Sequence, residues 1–450
     1  MKQSQPHRII HRQEHPISRA MISPNVLKIL YRLKDNGHVA YLVGGGVRDL
    51  LLGREPKDFD VATDATPGRI KKLFRNCRLV GRRFRLAHLH FTNEIVEVST
   101  FRGSTSEEPE ENTTPSLPGH EDVRQPRRLV SEDGLILRDN VFGSPSDDAK
   151  RRDFTVNALA YNIADFSILD FVGGMEDLKS GVIRTIGDPA TRFVEDPVRM
   201  LRAVRFAALL GFTFEGKTWQ ALVENAPGIT RATPPRLYEE VLKLFLSGEA
   251  AATCQHLRLG GLFSPLFPGF DEWLAAETEC FPHARLGKNL EWIDSCIAAG
   301  GTVSAPLMLA LMFGEYLEEQ ASFYRKQGVS PLDAIDAAVA DFMAEQAPLV
   351  AIPHRVALAV REIMILQNRF RKMPGKRPQS VLARPAFMDA LAYLRCYCES
   401  TGEGSDVGTW WEKYAENRVL PQVAAKKEEV GENRRPRRRK RRGRVTAPSV

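Results

Sequence analysis

Asp58 and Asp60 stand two residues apart, shortly after the run Gly44-Gly45-Gly46. On an extended segment, residues two apart project from one face, so both carboxylates can meet a single hard cation. The glycines interrupt an apolar, strand-like run over 39–43, and a helical pattern restarts over Val47–Leu52 until Gly53 stops it. Glycines at such a turn let a ligand approach the backbone and expose N–H groups. A following helix adds the positive end of its dipole. The stretch Tyr41–Asp60 can therefore cradle phosphate beside a divalent cation. Alone, three glycines also make a tight turn and Asp-x-Asp a solvated one; their proximity is what points to chemistry.

Further charged residues stand where they need partners. Glu97 shares a strand face with Ile95 and Ser99, while Val96 and Val98 face the other way. A carboxylate there either faces water at an edge or joins Asp58 and Asp60 as a third acid, and the second reading is preferred. Asp196-Pro197 opens a helix on which Arg199, Arg202 and Arg205 cluster within about a third of the circumference. Three arginines beside Glu195 and Asp196 favour bidentate contacts over a merely solvated basic face. Arg151-Arg152-Asp153 falls at the start of another helical stretch, before Asn157.

The elements that must position these residues can be read in order. Ser23-Pro24 caps a helix to about Asn36 with a stripe of Val26, Leu27, Leu30 and Leu33. A sheet begins at Val39, followed by a helix near Pro67–Phe74 and strands near Arg85–Phe91 and Glu94–Ser99. Residues 104–134 read as a mobile insertion rich in Glu, Pro, Ser and Thr. From about Pro189 the pattern is helical, with Leu201, Val204, Ala208 and Leu209 on a buried side and a second helix over Arg236–Leu246. The expected organisation is a mobile segment 1–22, an α+β head 23–188, a helical neck 189–268, a helical body and tail 269–425, and a disordered basic tail 426–450.

Composition excludes some classes. No apolar run approaches the ~20 residues of a membrane span, and the first residues lack a secretory apolar core. Six scattered cysteines fit neither a disulfide framework nor a zinc site, so reduced thiols and a cytoplasmic setting are expected. The net charge is +7, yet nine of the eleven residues over Arg434–Arg444 are basic, which leaves the rest of the chain at −2. So dense a run, Arg434, Arg435, Arg437, Arg438, Arg439, Lys440, Arg441 and Arg442 included, suits contact with nucleic acid through counterion release.

Taken together, Gly44-Gly45-x-Val47-Arg48-Asp49, Asp58-x-Asp60, Arg151-Arg152-Asp153 and Glu195-Asp196-x-x-Arg199 resemble the class II nucleotidyltransferases of the polymerase-beta superfamily. That family holds the bacterial poly(A) polymerases and the tRNA CCA-adding enzymes, and the resemblance runs from about Ile17 to at least Pro268. It implies a polymerase-beta-like head with a small mixed sheet, then an all-helical neck, body and tail. It implies two Mg²⁺ ions at Asp58 and Asp60, with ATP as substrate and the single-stranded 3′ end of RNA as acceptor. Gly44, Gly45, Arg48 and Arg152 would hold phosphates, while Asn157, Asp196, Arg199, Arg202 and Arg205 complete the nucleotide site. Glu97 and Asp153 compete as the third active-site carboxylate.

Leu79–Phe91 resembles the signature of the poly(A) polymerase branch, with Leu89 where valine is usual. The segments 15–33 and 367–378 and the basic tail resemble the same branch. The expected activity is AMP transfer from ATP to RNA 3′ ends, in mRNA polyadenylation that promotes decay, with degradation or RNA-chaperone partners and no membrane. A tRNA CCA-adding enzyme is the alternative, and an inactive RNA-binding scaffold a second. An Asp196–Arg199 pair complements the edge of adenine but equally that of cytosine, so any preference for ATP must come from pocket size and rigidity.

Overall fold

A computed structural model describes residues 8–81, 85–103, 129–130, 136–138, 142–275, 284–372 and 378–417. The expected insertion at 104–134 and the basic tail, with Arg434–Arg442, lie almost entirely outside the described residues.

The strands are β1 (Arg8–Ile10), β2 (Ala40–Val43), β3 (Asp60–Thr63), β4 (Cys77–Val80), β5 (Leu86–His90), β6 (Ile95–Thr100), β7 (Leu129–Val130), β8 (Ile136–Arg138), β9 (Ala160–Asn162), β10 (Ile168–Asp170), β11 (Val182–Ile183) and β12 (Thr213–Phe214). Eight of them form one sheet in the order β1-β10-β9-β2-β3-β6-β5-β4. Its pairs are antiparallel except β3 with β6, so the sheet is mixed. Alternation explains the layering: Val61, Ala87, Leu89, Val96 and Val98 are buried on one face, while Asp60, Glu97 and His88 alternate with them.

Helix α1 (Pro24–Asp35) starts where Ser23 Oγ accepts from the Asn25 N–H and Pro24 presets the first turn. It buries Val26, Ile29, Leu30 and Leu33, so Ile29 takes the place expected for Leu27. Helix α2 (Gly45–Leu51) follows the glycine turn, α3 (Pro67–Leu73) returns the chain to β4, α4 (Pro145–Lys150) precedes the Arg-Arg-Asp motif, and α5 (Gly174–Ser180) follows β10. The neck is α6 (Pro189–Glu195), α7 (Val198–Leu210), α8 (Gly216–Asn225), α9 (Pro234–Phe245), α10 (Ala250–Leu259), α11 (Phe263–Leu266) and α12 (Pro268–Ala275). Leu201, Val204 and Ala208 of α7 are buried as expected; Leu209 is only half-buried and lines the cleft.

Residues 8–22 depart from the mobile segment expected. β1 adds an edge strand to β10, and Ile10, Ile17 and Ile22 are 0–3% exposed. Three isoleucines in a short polar run carry no periodicity, but each fills the sheet's margin and removes apolar area from water.

The chain divides into two compact units. The first holds residues up to 282 with 293–302 and 342–352, so head and neck form one body. The second holds 283–292, 303–341 and 353 onward. Its helices include α14 (Ala305–Lys326), α16 (His354–Phe370) and α18 (Phe387–Thr401); α13 (Ala284–Ala298) and α15 (Pro331–Gln346) span both units, and α17 (Pro378–Leu382) is short. Phe370, Phe387 and Trp411 meet ring to ring in the second unit's core.

Candidate active site

A cleft of about 740 Å³ opens over the sheet and is walled by the neck helices. It brings together every site residue expected within the described part of the chain: Gly44, Gly45, Arg48, Asp58, Asp60, Glu97, Arg152, Asp153, Asn157, Asp196, Arg199, Arg202 and Arg205. Gly44 turns at φ +77°, a conformation that side chains avoid, and a Cβ there would sit 3.2 Å from Arg152 Nη1 and 3.5 Å from Asp60 Oδ2. The turn thus places backbone, a guanidinium and a carboxylate around one small space. Gly46 lets α2 press onto the approach to β3, where a Cβ would lie 3.3 Å from the Asp58 carbonyl oxygen.

Asp60 is the first residue of β3 and pairs in register with Glu97 on β6. Asp58 precedes the strand and is exposed, so the two acids sit on an extended lead-in and a strand end rather than on one strand. Burial, Asp58 and Glu97 push the Asp60 carboxyl up from 3.8 to about 6, while Arg152 opposes them. Among the described residues, no group of three or more His, Cys, Asp or Glu is gathered into a metal cluster. The donor set at Asp58 and Asp60 is nonetheless all carboxylate oxygen, which suits Mg²⁺, and a cation there would relieve the crowding that raises Asp60.

The remaining groups are held by one another. Arg48 is buried; its Nη1 donates to Asn157 Oδ1 at 2.7 Å and its Nε to Asp49 at 2.9 Å. Arg152 donates to Asp148 at 3.3 Å and to the Asn157 carbonyl at 3.3 Å. Asp153 receives Arg202 Nε at 2.6 Å. Burial raises the Asp153 carboxyl, but the Arg202 charge and hydrogen bond outweigh it and hold the group below its usual range. The guanidiniums of Arg48, Arg202 and Arg205 lie 5.1, 5.6 and 4.9 Å from the Phe206 ring centre, a stacking geometry that keeps three cations together. Burial lowers the Arg205 pKa.

At the neck, Arg199 Nη1 donates to Glu195 at 3.1 Å and to the Arg192 carbonyl at 2.9 Å. Asp196 is gripped by both arms of Arg236 at 2.6 and 2.8 Å. Sequence reasoning missed Arg236. A signal existed: Arg236 stands in the first turn of α9, where the helix dipole disfavours a cation, so a carboxylate partner was called for. Asp148, which receives Arg152 and the Arg102 N–H, was missed too, because it reads as an ordinary first-turn acid of α4.

A mixed sheet presenting acids beside a glycine turn, roofed by arginine-bearing helices, defines a nucleotidyltransferase of the polymerase-beta-like fold. The comparisons agree. Residues 40–184 match the family described as "Poly A polymerase head domain", 211–274 match "Probable RNA and SrmB- binding site of polymerase A", and 327–445 match "Polymerase A arginine-rich C-terminus". Poly(A) polymerase I of Salmonella typhi is 44% identical over 443 residues, 98% of this chain and 92% of the relative. The CCA-adding enzyme of Lactobacillus helveticus is 38% identical over 218 residues, 48% of this chain and 49% of that protein. In structure, the Bacillus stearothermophilus CCA-adding enzyme in complex with CTP aligns with a TM-score of 0.58 and 26% identity, covering 89% of this chain and 83% of its own. The chain belongs to the bacterial poly(A) polymerases, transferases that extend RNA without a template. Kinship to CCA-adding enzymes is real but more distant.

Proposed function

We propose that the cleft binds ATP with its triphosphate over Gly44 and Gly45, and that Asp58 and Asp60 hold two Mg²⁺ ions. When bound there, Mg²⁺ supplies activation of the RNA 3′-hydroxyl and neutralises charge on the triphosphate. Arg152, next to the Gly44 turn, donates to phosphate oxygens. Arg48, with its guanidinium bound to Asn157 and Asp49, fixes the turn that carries the backbone N–H groups. Glu97, in register beside Asp60, is the third carboxylate in this reading, and Asp153, held by Arg202, positions that arginine.

Asp196 accepts from the adenine amino group and Arg199 donates to its ring nitrogen. Arg236 and Glu195 hold those two side chains from behind. A rigid pair cannot close around the smaller cytosine, and this is our account of an ATP preference. Outside the described residues, Arg434–Arg442 would hold RNA through its phosphates. The cellular role we propose is cytoplasmic mRNA polyadenylation that promotes decay, with degradation or RNA-chaperone partners.

The observation that carries this reading is the setting of Asp60: half-buried, crowded by two acids and facing a guanidinium across a glycine turn. Asp60→Ala should bind RNA like the parent yet add no nucleotide, and in cells it should lengthen transcript half-lives. Substantial residual incorporation in a quantified primer-extension assay would remove the metal assignment.

A further inference from the structure

The catalytic face of the sheet continues beyond the carboxylates. In register, Asp60 pairs with Glu97, Glu97 with His88, and His88 with Arg78, one row across β3, β6, β5 and β4. Side chains of such a row share a face. His88 Nε2 lies 3.3 Å from Glu97 Oε1. Arg78 is exposed and makes no ion pair among the described residues. On the same face stand Val80 and Ile95, 36% and 54% exposed, and Leu86, which lines the cleft.

The order of strands assigns the two sides of Asp60 to different substrates. The Gly44 turn ends β2, on one side of β3, while β6, β5 and β4 lie on the other. Nucleotidyl transfer needs the attacking and leaving oxygens roughly in line. With the triphosphate over Gly44, pyrophosphate leaves on the β2 side and the attacking hydroxyl arrives over β6, β5 and β4.

We propose that this face seats the 3′-terminal nucleotides of a single-stranded RNA primer, with Arg78 and His88 as its phosphate contacts. Surfaces that take single-stranded nucleic acid combine cations that follow the backbone with rings on which bases stack. This face offers Arg78 as the cation and the His88 and His90 rings, 6.4 Å apart, with apolar Val80 and Ile95 on the same face. Glu97 holds the His88 ring in place and aligns the primer side with the metal side. Among the described residues, the stretch Leu79–Phe91 supplies Val80, Leu86 and His88 to this face. On this proposal the stretch faces the primer, while the base edge is met by Asp196 and Arg199 from the neck. A protein partner covering Val80 and Ile95 is the competing occupant.

The inference rests on the nucleotidyl-transfer reading of the cleft. The test is steady-state extension of a short unstructured RNA with ATP and Mg²⁺ at several salt concentrations. Arg78→Ala should raise the primer KM about fivefold, leave the ATP KM within about twofold, and flatten the log–log salt slope by about 0.7, the share of one single-strand phosphate. Arg78→Lys should recover most of the loss, and His88→Ala should raise the primer KM and lower kcat together. Parental primer KM and salt slope in both alanine variants would overturn the primer face and leave it to a protein partner. An equal rise in the two KM values would overturn it as well. If the unsubstituted protein itself adds no AMP to RNA, the reading of the cleft has failed, and the primer face with it.

Discussion

Asp60 is a residue the fold holds at a cost. Burial and the neighbouring Asp58 and Glu97 raise its carboxyl from 3.8 to about 6. A carboxyl raised in the fold is protonated in both states below about pH 4, where it costs nothing. Ionisation costs progressively more between pH 4 and 6, and the full penalty stands above pH 6. Asp60→Asn should therefore stabilise the metal-free protein by about 2–3 kcal/mol at pH 7.5, and the two proteins should converge below about pH 4. Chemical denaturation across that range reads the difference, and Mg²⁺ should stabilise only the parent. Equal stability at pH 7.5 would mean that the acids do not crowd one another. At this scale the sequence was legible where residue type and spacing carry the chemistry: Asp58, Asp60, Glu97 and Asp196 all reach one cleft. Which distant partners the arginines take was not legible. Arg236 reaches Asp196 from 40 residues away, and Arg202 reaches Asp153 from 49, distances that no local pattern spans.

Among the elements, those with clean alternation or capping were readable before the fold was known. α1 follows from Ser23-Pro24 and its apolar stripe, and β6 from its valines alternating with Glu97. The pairing of β3 with β6 was not readable, because parallel register depends on partners distant in sequence, and it is this register that sets Asp60 beside Glu97. The N-terminal stretch shows the opposite failure, since a polar composition concealed three buried isoleucines. Ile17, fully buried, is the sharpest probe of that seat. Ile17→Ala should cost about 2–5 kcal/mol of unfolding free energy, as a buried aliphatic truncation does, whereas a mobile segment would give almost no change.

For the whole molecule, head and neck lie in one compact unit, and that is why a sheet carrying acids and helices carrying arginines can share a cleft. In the function proposed above the sheet supplies the charge chemistry and the neck the base edge, so neither would be sufficient alone. Full-length kinship to poly(A) polymerase I, against half-length kinship to a CCA-adding enzyme, places the chain with the poly(A) polymerases. The most direct measurement is extension of an unstructured RNA primer with ATP, CTP, GTP or UTP supplied singly, with a tRNA lacking its 3′ end run in parallel. Long tracts from ATP alone, on the unstructured primer, are the expected result. Short additions from CTP confined to the tRNA would contradict it.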